Sequence, residues 1–553
     1  MKTIIIGIDG GTWDVMLPLI KQGKLPNIAR LMETGVWGNL HSTYPPITIP
    51  AWVSCVTGVN PGKLGVFHFM NNVHQNYQGT LFNATEVKIK RIWEILTEMK
   101  KKSIIITVPG TYPPLPFDGI MVSSVRPLQS QMVKIYPEDI KEELKRWLNE
   151  NLLIDLKKIK LTRLTQGNIP KKSFFSNLFQ IYLKVVEIQK KIVCNFIQKY
   201  KWDFFMVVFP STDIIQHCCW HYYKSSKPLP FSISTEDPVS KIYMAVDKAV
   251  GEIFNCIDPK ETSLFIVSDH GFGPLYKMFF VNQWLKDKGW LTLKKRPRWQ
   301  TKRISLFKIF EKLSLRFLNE VLPSQVLQLK LPLLKKRQFS LDDIDWEKTI
   351  AYYAGAGINI NLEGREPKGI VKRKEFDRIM EIIKKELKEI KDPWTGKNIV
   401  KYIFRKEEIF QGPYVEKAPD LLFFFSSSEY LPQEGLNHNV FSIVDEKSKI
   451  TGHHFSCFNG IFILNSPAIK SDAHLDNAHI MDITPNVLYL MGLPVAEEMD
   501  GRVWIEVVKP EFQKKYPLRK VKYNLYKEKR EIKFGKEEEE EIKRQLKDLG
   551  YLG

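Results

Sequence analysis

Nowhere among the 553 residues do eighteen apolar residues run together, so the sequence offers no transmembrane helix. The opening MKTIIIGIDGG enters a strand pattern at once, without the apolar stretch and small-residue cleavage site of a signal peptide. The six cysteines are scattered, and no CxxC occurs. That pattern excludes a disulfide framework and a cysteine-type zinc site, and it fits a reducing cytoplasm. Glycine-rich phosphate cradles are missing too, since GIDGGT matches neither GxGxxG nor a P-loop. No specific nucleic-acid motif is present.

What is present is a globular composition, 44% hydrophobic and 12% aromatic, in a chain long enough for a large core with insertions. Short apolar runs recur as TIIIGID (3–9), SIIITVP (103–109), WDFFMVVF (202–209), SLFIVSD (263–269), PDLLFFF (419–425) and GIFILNS (460–466). Helical patterns such as KRIWEILTEMKKK and KIYMAVDKAVGEIFNCI separate them. Apolar strands alternating with helices predict an α/β fold with a mainly parallel sheet covered on both faces. In such sheets ligands bind off the carboxyl ends of the strands.

The net charge of +20 is unevenly placed. Residues 291–337 hold thirteen Lys or Arg against Glu311 and Glu320, a net +11. Within that segment ISLFKIFEKLSLRFLNEVL is amphipathic at helical spacing, with Leu306, Phe307, Phe310, Leu313 and Phe317 among its apolar positions. A solvated helical cap over the core is the plain reading. The sharper one is an anionic-surface binder, for phospholipid headgroups in peripheral contact with a membrane or for nucleic acid.

Three predicted strand ends carry side chains that suit a metal. The first ends in Asp9. After the third, Asp213 and His217 lie four apart and share one face if a helix starts there. The fourth ends in Asp269 and His270, consecutive residues that reach one site only where the strand breaks, as Gly271 and Gly273 allow. TGHHFSCFNGIFI adds His453 and His454 just before another strand. Each motif alone is as well explained by turns and caps, but together they make a coherent two-metal inventory. A further candidate is Thr48 in TIPAWVSCVTG, either a helix N-cap or a hydroxyl placed for chemistry.

In IIGIDGGTWDVM, GKLPNIARLMETGVWGNLHST, ITIPAWVSCVTGVNPGKLGVFHF, SDHGFGP, NLEGREPKGIV, APDLLFFF and DITPNVLYLMGLP the chain resembles the alkaline phosphatase superfamily, in its type I phosphodiesterase and nucleotide pyrophosphatase branch. The resemblance implies a three-layer α/β/α sandwich, with residues 1–285 and 346–510 as a core sharing one sheet. Residues 110–200 would contribute helices, 286–345 a basic helical cap insertion and 511–553 a charged tail. It implies two divalent metal ions, zinc by preference with manganese or iron as alternatives. One would be held by Asp213, His217 and His454, with His453 as the alternative to His454. The other would be held by Asp9, Thr48, Asp269 and His270.

Thr48 is then the implied nucleophile, its alkoxide favoured by a dication and by the positive end of a helix. The implied activity is hydrolysis of phosphodiesters or nucleotide pyrophosphates through a covalent phospho-threonine, on an anionic phosphate-ester substrate. The pattern departs from the pyrophosphatases at two places. They follow the nucleophile with Asn, where this chain has Ala51 after Pro50, and place a phosphate-contacting Asn about twenty residues on, where Phe69 falls here, with Asn71 and Asn72 nearby. A phosphomonoesterase or phosphotransferase using the same site, and a silent anionic-surface binding protein, remain the alternatives.

Overall fold

The computed structural model describes residues 1–124, 133–148, 171–223, 237–294, 341–445, 448–527, 532 and 534–548. The basic cap expected at 286–345 and its amphipathic helix fall mostly on 295–340, outside the described residues. Among the described residues no helix is long and apolar enough to cross a membrane.

A ten-stranded sheet organises the chain. Its strands are β1 (Lys2–Ile8), β2 (Val36–His41), β3 (Ser103–Ile106), β4 (Gly119–Ser124), β5 (Val133–Tyr136), β6 (Phe204–Phe209), β7 (Thr262–Val267), β8 (Asn459–Asn465), β9 (Ala473–His474) and β10 (Ala478–His479). The spatial order is β9-β2-β8-β7-β1-β6-β3-β4-β5, with β10 also on β2. From β7 through β4 the neighbours are parallel, whereas β8 runs antiparallel to both β7 and β2. The sheet is therefore mixed, and mainly parallel.

Strand periodicity sorts the apolar runs onto two faces. Ile4, Ile6 and Ile8 of β1 join Phe205, Val207 and Phe209 of β6 in one core. Ile5, Met206, Val208, Phe265 and Val267 point into the other. Two long helices, α2 (Lys171–Lys199) and α4 (Pro238–Phe254), cover the first face. The second face is covered by α1 (Thr48–Thr57), by the helix Ile483–Leu490 and by a further sheet. This is the three-layer α/β/α arrangement, and it explains why the central strands carry no polar face.

Three features differ from the sequence reading. The 110–200 stretch contributes not only helices but also β4 and β5. The run 419–425 does not enter the main sheet. It supplies Leu421–Phe425 to a separate antiparallel sheet with Ala351–Ala354, Gly357–Ile360 and Val400–Arg405. A fully buried apolar run signals burial on both faces, and it is silent about which sheet it joins. Residues beyond 511 pack on the body: Ile542 and Leu546 are buried, and Glu538 accepts from Lys134 at 2.8 Å and from the Tyr112 hydroxyl.

The second sheet is fastened by a buried ion network. Arg365 grips Asp420 through Nη1 to Oδ1 at 2.7 Å and Nη2 to Oδ2 at 2.6 Å, and Lys406 lies 3.3 Å from Oδ1. Burial pushes the Asp420 carboxyl up, but the Arg365 hydrogen bonds and the charges of Arg365 and Lys406 outweigh it and hold it down to about 2. Asp420→Asn removes the carboxylate that these two cations share, leaving Arg365 with Glu366 and Lys406 with Glu416, and the expected loss is about 2 kcal/mol in urea unfolding. Because the folded value is depressed, the stabilisation is present above the unfolded carboxyl pKa of about 3.9 and is lost as pH falls toward 2. The gap between wild type and Asp420→Asn should therefore close over that acid window.

Candidate active site

The candidate residues arrive on separate elements at one end of the sheet. Asp9 follows β1, where Gly10 turns the chain at a positive φ of 63°. A Cβ at Gly10 would crowd Phe272 and Asp213. The backbone N–H of Gly10 donates to Asp269 Oδ1 at 3.2 Å, tying two of the candidates together. Asp213 and His217 lie on α3 (Ser211–Cys219), which starts right after β6, so their four-residue spacing puts them on one helix face with His217 Nε2 3.5 Å from Asp213 Oδ1. Asp269 and His270 follow β7. The break there depends on close approach, since a Cβ at Gly271 would stand 2.5 Å from the Asn459 carbonyl oxygen. His453 and His454 lie in the segment leading into β8, with His453 paired to Gly273.

Thr48 is the first residue of α1, and it is not a side-chain cap: Ile47 occupies the N-cap position and no side chain caps the helix. The reason lies in the sequence. A cap at 48 would accept from residue 50 or 51, but Pro50 has no N–H and Ala51 N–H is bonded to the Ile47 carbonyl at 3.0 Å. The hydroxyl is left to face His270, with Oγ1 3.5 Å from Nε2.

Two triplets of donor atoms converge. Asp9, Asp269 and His270 form one, and Asp213, His270 and His454 form the other, each with its ligand atoms within 4.8 Å of one another. His270 is common to both, which the sequence did not foretell, and its ring stacks on His454 with centroids 3.7 Å apart. His217 joins neither triplet but stays beside Asp213, its ring 5.3 Å from that of His454.

The imidazoles are oriented for ligation. Each donates Nδ1–H to a backbone carbonyl: His217 to Gly452 at 2.9 Å, His270 to Gly271 at 2.9 Å and His454 to Pro46 at 2.8 Å. A carbonyl can only accept, so the lone pair is on Nε2, the atom turned toward the cluster. His453 is the reverse, because its Nδ1 accepts from Phe455 N–H at 3.1 Å and its proton belongs on Nε2. Between the two adjacent histidines, His454 has the ligand tautomer.

Three carboxylates share this buried space. Burial, then the charges of Asp269 and Asp213, push the Asp9 carboxyl well above its ordinary value, and burial followed by Asp213 does the same for Asp269. Burial brings His217 and His454 down to about 4, and burial followed by the charge of His454 holds His270 well below its ordinary value. Among the described residues no donor satisfies Asp9 Oδ1 or Asp269 Oδ2. Neutral imidazoles and orphaned carboxylate oxygens that repel one another are the donor set of a cation site, and the residues present fit divalent metal.

Beside the cluster lies an open pocket, lined by His217, His454, Ile47, His68 and residues from distant segments, among them Tyr353, Leu431 and Glu434. The sequence reading missed this wall. Its residues lie far apart in the chain, and no motif marks them.

A family model described as type I phosphodiesterase / nucleotide pyrophosphatase matches residues 3–454. The chain belongs to that family. It is a hydrolase of phosphoric esters, and metal dependence accords with the family. Among solved structures it is similar to phosphonoacetate hydrolase from Sinorhizobium meliloti 1021 in complex with phosphonoformate, at 13% identity over 89% of this chain and 96% of that chain, with a TM-score of 0.52. It is also similar to human ectonucleotide pyrophosphatase/phosphodiesterase 5, at 13% identity over 92% of this chain and 100% of that chain, with a TM-score of 0.49. At such identities the likeness is one of fold. No curated protein matches the sequence.

Proposed function

We propose that this family member cleaves phosphodiesters with Thr48 as nucleophile at a centre of two divalent metal ions, zinc by preference. The observation that carries the reading is the convergence of the Thr48 hydroxyl, His270 Nε2 and the unsatisfied oxygens of Asp9 and Asp269 at the start of α1. Asp213, His217 and His454 would hold one ion, and Asp9, Thr48, Asp269 and His270 the other. Bound there, the ions supply Lewis-acid charge that favours an ionised hydroxyl and offsets the negative phosphoryl oxygens. Thr48 Oγ1 attacks phosphorus, the alcohol leaves, and a phospho-threonine forms that water then hydrolyses. The N-terminal end of α1 adds partial positive charge at the same place.

The pocket favours a diester over a monoester. Ile47, Tyr353, Leu431, Pro432, Ile450 and Phe455 give it a largely apolar lining, suited to an organic ester group next to the phosphate. The test compares bis(4-nitrophenyl) phosphate with 4-nitrophenyl phosphate on zinc-loaded and manganese-loaded protein. The expected result is a higher kcat/KM for the diester, by about tenfold or more, the effect of roughly 1.4 kcal/mol of extra binding in the pocket. A preference for the monoester would turn the reading to a phosphomonoesterase built on the same residues.

A further inference from the structure

The family pattern leads one to expect an asparagine about twenty residues after the nucleophile, in contact with the phosphate. In this chain both nearby asparagines are occupied. Asn71 donates through Nδ2 to Glu86 at 3.2 Å and accepts at Oδ1 from Phe67 N–H at 3.4 Å. Asn72 donates to the Thr80 hydroxyl at 3.0 Å. Neither lines the pocket beside the metal-type cluster.

His68 does line it, together with His217 and His454. The side chain is otherwise enclosed, only 8% exposed. Its Nδ1 accepts the backbone N–H of Met70 at 3.3 Å, so the ring proton belongs on Nε2. Within the described residues Nε2 makes no hydrogen bond. Nε2 is not among the sealed, unsatisfied polar atoms of the described residues, so it opens to the pocket, where a ligand oxygen can take its proton.

We propose that His68 is a substrate-contacting residue, a neutral Nε2–H donor to an oxygen of the bound phosphoryl group, in place of the asparagine that the family pattern leads one to expect. Burial supports the neutral form by bringing the imidazole down to about 4. Such a donor keeps its proton throughout the working range and gains strength as negative charge grows on the oxygen it faces. The inference rests on the proposed phosphoester chemistry at this centre.

The experiment uses the full-length, zinc-loaded protein and two variants, His68→Leu and His68→Gln. Leucine removes the donor, whereas glutamine offers an amide N–H near the position of Nε2. Turnover of bis(4-nitrophenyl) phosphate and competitive inhibition by inorganic phosphate are both measured, with metal content as a check. The expected result is a fall of about 10²-fold in kcat/KM for His68→Leu. Phosphate inhibition should weaken, metal content should be unchanged, and glutamine should restore most of both losses. The wild-type pH profile should show no step attributable to His68 between pH 5 and 8.

Full activity and full phosphate inhibition in His68→Leu would overturn the assignment and leave His68 as packing. Equal losses in leucine and glutamine variants that retain metal would overturn it as well, pointing to shape and not to the proton. If His68→Leu does not fold, the glutamine variant and phosphate inhibition still decide: loss of both with metal retained counts against the donor. Failure of the broader reading looks different, since wild-type protein would then turn over no phosphate ester, while phosphate protection against thermal unfolding would still report on His68.

Discussion

Replacing Thr48 by alanine should lower kcat by at least about 10⁴-fold while the protein stays folded and keeps its metal, because the attacking atom itself is removed. The geometry sharpens the stability side of this expectation. Thr48 opens α1 without capping it, so no capping hydrogen bond is lost, and unfolding should shift by less than the ~1 kcal/mol typical of a removed cap. Thr48→Ser keeps the hydroxyl and should retain measurable turnover. The check is kcat beside a urea unfolding curve and metal content for all three proteins. If Thr48→Ala turned over at near the wild-type rate, a water molecule would be the attacker, and the assignment would fail at its centre.

The second large effect concerns the adjacent histidines. His454→Ala removes an imidazole whose Nε2 belongs to the Asp213–His270–His454 triplet, and it should weaken metal binding by roughly 100-fold or more, with activity falling in step. His453→Ala should leave metal content near wild type, because that ring carries its proton on the opposite nitrogen and pairs its Nδ1 with Phe455 N–H. Elemental analysis after dialysis against a weak chelator separates the two. Metal loss in His453→Ala with retention in His454→Ala would reverse the choice between them. Metal retained in both would remove this segment from the centre altogether.

Much of this was legible in the sequence, for identifiable reasons. The central strands β1, β6 and β7 are buried on both faces, so their apolar runs stand out without alternation. The ligand candidates were legible because their spacing is local: four residues put Asp213 and His217 on one helix face, and Asp269 with His270 has Gly271 beside it for the break. Harder to read was β2, whose VWGNLH mixes buried and half-exposed positions and carries Gly38 and Asn39. The second sheet was hidden for another reason, since LLFFF would look the same in either sheet.

In the site, what escaped was relational. That His270 belongs to both triplets and that His454 gives its Nδ1 proton to the Pro46 carbonyl depend on segments far apart in the chain, whereas the missing Pro50 N–H and the His453–Phe455 contact are local. The pocket wall of Tyr353, Leu431 and Glu434 is assembled from two strands outside the main sheet and the bend after one of them, and no periodicity marks it as a wall. The segment 291–337 keeps its net +11 as a sequence fact, and only its first four residues lie among those described.

The claim at the centre is that Thr48 becomes covalently phosphorylated during turnover, and stereochemistry at phosphorus reads it directly. A phosphorothioate diester of known chirality is hydrolysed in isotopically labelled water, and the configuration of the product is determined. Attack by Thr48 followed by attack by water makes two in-line displacements, each inverting, so the account predicts net retention. Net inversion would mean a single displacement by water and would contradict it.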